Sequence, residues 1–394
     1  MNRREFLKKS LITSGVLTLA PSFIFSQTKT PRKIIIIGAG LAGLSAGYEL
    51  SKYNHQITIL EAQNRVGGRV LTLREPFAEN LYVDAGASRI PQDHELTLKY
   101  IAEFNLPLAP FYPSSGGFVR LKNGKPQIVN WKKFADATEE VMTLEKPELW
   151  HKIRGGNDQL PKSFVEKLKD KIKLNSPVIK IVQKEKSVEV WFSENGKPES
   201  LTADFLICAL PFTMLRKIEI TPKFSAPKQT LIENLKYDSA TRVFLQMRRR
   251  FWEDKNLNGF AFGADNTEIW NVSFQQSARR GILQTYLRGD VADKLTALPL
   301  KDRLDKTVNN LEMLFPGALE NFEMGITKCW REDPFVEGAW AHLAGKELEL
   351  AQKAENRIFF AGDHTTHKAS WMQGALESGI RAANEIKRAV NVFI

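Results

Sequence analysis

Several groups of residues in this chain are of types and spacings that do chemistry. Gly38, Gly40 and Gly43 form a GxGxxG run, and Glu61 follows Gly43 by 18 residues. In such a run the first glycine permits a sharp turn. The second lets a pyrophosphate approach the backbone, and the third lets a helix pack on a strand. A carboxylate placed like Glu61 accepts the ribose hydroxyls of a dinucleotide. Arg65 and Arg69 flank a glycine pair in EAQNRVGGRV, a feature that a nicotinamide enzyme does not need. In DAGASRIP, Arg89 follows small residues and precedes an apolar turn, where a guanidinium is costly unless it meets an anion. It either pairs within the chain, with Asp93 or at a turn, or awaits a carboxylate in a pocket. Near the far end stand Gly362–Asp363 in a tight turn, and Trp340 and Trp371 in EGAW and SWMQGALESG.

These residues need elements to hold them. Four consecutive isoleucines, Ile34–Ile37, read as a buried parallel strand. A helix from Leu41 to about Lys52 then aims its first amides at the phosphates. Ile57–Leu60 is the next strand, with Glu61 at its end. Ile358–Ala361 reads as a strand and Met372 to about Ile386 as an amphipathic helix, whose N-terminus offers positive potential beside Met372. Between these ends, alternating strands surround Asn195–Gly196, a hairpin signal. The nucleotide-binding domain is therefore assembled from separated stretches, and the intervening segments build the substrate side.

The bulk properties fit this reading. The chain has 394 residues, 43% of them hydrophobic and 26% charged, with no low-complexity tract or repeat. The net charge is +11, but basic and acidic residues are interspersed. The one dense cluster, Arg248–Arg249–Arg250, reads as a solvated strand end, so no nucleic-acid partner is expected. Cys208 lies in an apolar run and Cys329 precedes Trp330; the two define neither a disulfide framework nor a metal site, and the six histidines are dispersed. Residues 1–26 read as an export leader: MNRREFLKKS precedes an apolar run too short to span a bilayer. The NRREFLK stretch resembles a twin-arginine (Tat) signal. Export through the Tat machinery to the periplasm or beyond, with cleavage after Ser26, is the expectation.

Taken together, GAGLAGLSAGYEL, LEAQNRVGGRV, DAGASRIP, GGNDQLP, NSPVIKI, ADFLICALP, KYDSATRVFLQMRRRFW and AGDHTT with its closing helix resemble the flavin-containing amine oxidase family, and within it the L-amino acid oxidases. The resemblance implies an α/β fold, an FAD-binding Rossmann-like domain (parallel sheet with β-meander) interleaved with an α+β substrate-binding domain. The expected division assigns 32–88, 153–212 and 353–392 to FAD and 89–152 and 213–352 to substrate. By the same resemblance, Gly38, Gly40, Gly43, Glu61, Ala62, Arg69, Gly86, Val178, Gly362, Asp363 and Met372 hold FAD. Trp340 and Trp371 form an aromatic cage that aligns the amine, and Arg89 takes the carboxylate of an amino acid. Three departures stand out. Ala339 occupies the position of the cysteine that bonds flavin covalently in some members, so FAD is expected to be non-covalent. Arg242 stands where many members carry a lysine. The region 92–152 leaves room for only a trimmed helical insertion.

The implied reaction is hydride transfer from the carbon bearing the amine to the flavin. The imino acid then hydrolyses to a 2-oxo acid and ammonia, and oxygen or a quinone reoxidises the flavin, oxygen giving hydrogen peroxide. The alternatives are oxidation or dehydrogenation of amines without a carboxylate, a desaturase-like activity, or an FAD-binding member without turnover. The sequence is compatible with an oligomer and does not identify the side chain of the substrate.

Overall fold

The computed structural model describes residues 31–136, 146–264 and 267–392. The expected leader lies outside the described residues. A five-stranded parallel sheet runs in the order Ile172–Lys173, Gln56–Leu60, Lys33–Ile37, Phe205–Cys208, Ile358–Phe360. The isoleucine strand is central, which is why it is apolar on both faces. Its alternation divides two cores. Ile34 and Ile36 point, with Ile57, Ile59 and Phe205, toward the helices Leu41–Ser51 and Met372–Val392. Ile35 and Ile37 point, with Leu206, Cys208 and Phe360, toward the second sheet.

The two helices touch backbone to backbone. A Cβ on Gly379 would stand 2.2 Å from the Ala42 carbonyl oxygen, so only glycine allows the approach. The closing helix runs to Val392, beyond the expected Ile386. The second sheet is an antiparallel meander of Lys197–Ala203, Val188–Glu194 and Val178–Gln183, to which Glu219–Thr221 adds in parallel beside Val178–Gln183. Its hairpin turns at Asn195 and Gly196, both with positive φ (52° and 77°), as the sequence predicts.

The third sheet has seven strands: Phe322–Cys329, Ala240–Met247, Gly281–Arg288, Glu268–Asn271, Leu257–Phe262, Gly117–Lys122, Lys125–Val129. Val243 and Leu245 face the core that includes Leu295, Val308 and Leu311 of the helices Gly289–Thr296 and Leu300–Leu314. Ala240 and Arg242, on the other face, point to the site. The Arg248–Arg250 cluster directly follows the Ala240–Met247 strand, at its expected place on a strand end.

The segment 92–152 departs from the expected helical insertion. Among its described residues there are two α-helices, Glu95–Glu103 and Trp131–Ala135, but also a hairpin that extends the seven-stranded sheet. The reason is local. FVRLK and KPQIV flank Asn123–Gly124, whose φ values of 52° and 73° are those of a tight hairpin turn. No helix among the described residues is long and apolar enough to cross a membrane.

Candidate active site

One cavity is lined by Gly38, Gly40, Glu61, Ala62, Arg69, Gly86, Val178, Gly362, Asp363 and Met372, and also by Arg242, Trp340 and Trp371. Thus fold elements distant in sequence bring most of the predicted residues to one space. Gly43 and Arg89 are not on its wall. Gly43 instead closes the turn beneath it: a Cβ there would stand 2.0 Å from the Gly38 carbonyl oxygen.

One end of the cavity combines a carboxylate at a strand end with an open helix N-terminus. The Glu61 carboxylate accepts from the amides of Ala39 (2.7 Å) and Gln63 (2.9 Å), which fix it at the end of its strand. Burial pushes its carboxyl above the ordinary value, and those amides oppose the shift. Helix Leu41–Ser51 has no side-chain N-cap, and its N-cap residue Gly40 lines the cavity. A Cβ on Gly40 would meet no protein atom within 4 Å, so the space beside it is cavity space. This open cradle at a helix N-terminus fits a pyrophosphate.

Arg69 joins this end to the next. Its guanidinium pairs with Asp363 and donates to the Ala339 carbonyl at 2.6 Å. Burial disfavours the Asp363 carboxylate, but Arg69 and His364 beside it hold its pKa below the usual range. Asp363 also accepts from the Ser370 amide at 3.1 Å, which fixes the approach to Trp371. Gly86 shows why DAGASRIP is small: a Cβ there would fall 1.8 Å from the Arg69 carbonyl oxygen.

GGNDQLP clamps the same segment. Asn157 donates from Nδ2 to the carbonyls of Ala87 and Ser88, each at 3.0 Å. Its backbone amide donates to the Asp84 carboxyl, as does Thr72 Oγ1. Burial pushes the Asp84 carboxyl up to about 6.

At the aromatic end, Trp340, Trp371, Tyr286 and Ser370 line this cavity and an adjoining one that includes Asp238, Arg288 and His342. The Trp340 carbonyl accepts from the Asp238 amide at 2.7 Å, and the Asp238 carbonyl accepts from the amide of Ala339, just before Trp340, at 2.8 Å. Trp371 packs edge-on to His94, with ring centroids 4.8 Å apart. Burial pushes His94 down to about 4, which keeps it neutral at physiological pH.

Behind the tryptophans lies a cluster that sequence reading found only in part. Arg89 is buried, and its Nη1 donates to Glu268 Oε2 at 3.1 Å and to Tyr112 Oη at 3.2 Å. Its partner is thus Glu268 rather than Asp93, which pairs with Lys368. Trp270 separates Arg89 from Arg242, 4.9 Å from the former Cζ and 5.2 Å from the latter. Tyr286 repeats the pattern between Arg242 (4.7 Å) and Arg288 (5.1 Å). Glu268 closes the ladder, with Arg288 Nη2 3.0 Å from its Oε1 and Trp270 Nε1 donating to its Oε2.

The sheet register makes this ladder. Lys328, Arg242, Tyr286 and Glu268 are direct cross-strand neighbours on four adjacent strands and so share one face. Arg242 donates to the Asp84 carbonyl (2.7 Å) and to Ser88 Oγ.

The family profile for flavin containing amine oxidoreductases matches residues 41–142 and 130–387. The chain belongs to the flavin-containing amine oxidoreductases. It is 29% identical to the Bacillus subtilis protein YobN over 92% of this chain and 96% of that one. The L-amino-acid oxidase of Gloydius halys is 26% identical, with 92% and 90% covered. The fold matches cyclohexylamine oxidase from Brevibacterium oxydans with a TM-score of 0.79 at 16% identity, covering 92% of this chain and all of that one. Putrescine oxidase bound to putrescine gives 0.76 at 18%, covering 91% and 99%. The protein is accordingly a flavin-dependent oxidoreductase acting on CH–NH2 groups, with the mixed parallel and antiparallel α/β architecture of that family.

Among the described residues no group of His, Cys, Asp and Glu could hold a metal. Both cysteines are buried and free, and burial pushes the Cys208 thiol up to about 12.

Proposed function

We propose that this protein oxidises an L-amino acid to the 2-oxo acid, with release of ammonia and reduction of oxygen to hydrogen peroxide. The observation that carries the reading is the arginine–aromatic wall at the substrate end, where Arg242 lines the same cavity as Trp340 and Trp371. A cation buried there suits a substrate bearing a carboxylate. The similarity to L-amino-acid oxidases along most of the chain supports the same choice.

A flavin bound in this cavity would supply the acceptor for hydride from the carbon bearing the amine. The chain's own residues position the substrate. The π-faces of Trp340 and Trp371 receive a neutral amine and tolerate its cation. His94, neutral and edge-on to Trp371, steadies that ring. FAD is proposed as the flavin, held without a covalent bond: Glu61 takes the ribose, Gly40 and Arg69 the pyrophosphate, Val178 the adenine and Met372 the ring end. Ala339 and the two buried cysteines leave no thiol on the cavity wall. Tat-dependent export of the folded, loaded protein is part of the same proposal.

A second reading, oxidation of amines without a carboxylate, draws on the Arg89–Glu268 pair, which satisfies one arginine internally. Anaerobic bleaching of the bound flavin separates the two. A panel of L-amino acids should bleach it faster than their decarboxylated amines. The reverse order would exclude the amino-acid reading, and no bleaching by either would exclude turnover.

A further inference from the structure

We propose that Arg242, rather than Arg89, is the residue that receives the substrate carboxylate. The inference rests on the amino-acid reading above and names the atoms that make the discrimination. Three arginines, Arg89, Arg242 and Arg288, stack alternately with Trp270 and Tyr286. Two of them are paired with one carboxylate: Arg89 and Arg288 stand 3.1 and 3.0 Å from the two oxygens of Glu268. Arg242 is buried between them, and its partners are neutral: the Asp84 carbonyl, Ser88 Oγ and the Tyr286 side chain. The Asp84 carboxyl is turned away from it, toward Thr72 and the Asn157 amide.

A buried guanidinium whose hydrogen bonds all go to neutral oxygens, with the Asp84 carboxyl acting on it only through space, is an incompletely compensated cation, costly unless an anion arrives. Burial pushes the Arg242 pKa down but leaves it protonated, because a guanidinium does not lose its proton in proteins. The cavity supplies the place for that anion. Arg242 lines the cavity with Trp340 and Trp371, whereas Arg89 lies one indole behind it and lines neither cavity. For Arg89 to take the carboxylate, it would have to break a buried ion pair and pass Trp270. For Arg242 no internal ion pair has to break.

Lysine at this position would not do the same work. Its ammonium has three N–H groups, so it cannot satisfy the Asp84 carbonyl and Ser88 Oγ and still offer two parallel N–H bonds to a ligand. An arginine can do both, which gives a physical reason for the residue at 242.

The test compares benzoate with benzamide, a pair that differs in charge and little in shape, by perturbation of the bound-flavin spectrum. The variants are Arg242→Gln, Arg242→Lys and the double variant Arg89→Met/Glu268→Gln, which removes both charges of the Arg89–Glu268 pair and leaves the part-exposed Arg288 to solvent. Wild type should bind benzoate more tightly than benzamide. Arg242→Gln should lose this preference by about 10- to 100-fold, as expected for charge-assisted bonds. Arg242→Lys should recover part of it, and benzamide binding should change little in any of them. The double variant should keep the preference. Its loss there, or an equal loss in both Gln variants, would overturn the assignment while leaving the amino-acid reading intact. Wild type that bleaches only with amines and shows no preference for benzoate would overturn both.

Discussion

Arg89 and Glu268, 179 residues apart, form an ion pair whose side chains are only 4% and 1% exposed. Glu268 also takes Arg288 on its other oxygen, so one carboxylate organises two arginines behind the cavity. A buried pair contributes little net stability, but removing one partner strands a charge at a cost of about 3–5 kcal/mol. Glu268→Gln should therefore destabilise the protein by that order, and Arg89→Met similarly. The double variant should be more stable than the two losses added together predict. Urea denaturation of the three variants and wild type measures the cycle, and additive losses would show that the pair is not coupled.

Two glycines of one motif should fail in different ways. A Cβ on Gly43 would press to 2.0 Å on the Gly38 carbonyl oxygen, whereas one on Gly40 would meet no protein atom. Gly43→Ala should lower both folding stability and flavin content. Gly40→Ala should fold with near wild-type stability and lose flavin, because its methyl enters the cradle at the helix N-terminus. The ratio of flavin to protein absorbance, read beside a thermal melt, distinguishes the two. A Gly40→Ala protein with full flavin would show that the pyrophosphate lies elsewhere.

What the sequence made legible follows the range of the interactions involved. GAGLAG, Glu61 and the closing helix are read locally, since each is a turn, a strand end or a helix start with its own residue signature. Arg89 was visible as an arginine in an apolar setting, but its partner was not. Glu268, Trp270, Tyr286 and Arg288 reach the site only through the pairing of strands 240–247, 268–271 and 281–288. A register is set by which residues face each other after folding, and no single segment carries it. The hairpin at Asn123–Gly124 carries a local signal, the same Asn–Gly turn as at Asn195–Gly196. Its assignment to a helical insertion came from the chain length available, not from the residues themselves.

Asp84 couples stability to pH. Burial raises its carboxyl to about 6 from 3.8, against Thr72 Oγ1, the Asn157 amide and the nearby Lys152, while Asp158 adds to the rise. The native state then binds a proton more tightly than the unfolded chain. Stability from this group is greatest below pH 3.8 and falls as pH rises through 6, by on the order of 2–3 kcal/mol. Asp84→Asn keeps an oxygen that accepts both hydrogen bonds and removes the titration. The variant should be more stable than wild type at pH 8, with the difference shrinking toward pH 4. Denaturant unfolding at the two pH values checks the sign, and a variant less stable at pH 8 would mean that the ionised carboxylate is the stabilising form.

Trp371 should act through its ring face rather than its bulk. The ring lines both cavities, and its place is fixed by the edge-on contact with His94 and by the Asp363 bond to the Ser370 amide just before it. A misplaced amine loses rate steeply, on the order of 100-fold for about 1 Å. Trp371→Phe keeps a π-face at the same backbone position and should stay within about tenfold of wild type in kcat/KM. Trp371→Leu places an apolar side chain nearer in size to phenylalanine but without a π-face, and Trp371→Ala leaves the amine unguided, so both should fall by on the order of 100-fold with flavin content retained. Steady-state kinetics on the three, normalised to bound flavin, separates the cases. Leucine performing as well as phenylalanine would show that the residue supplies volume alone, and the aromatic-cage role would then rest on Trp340.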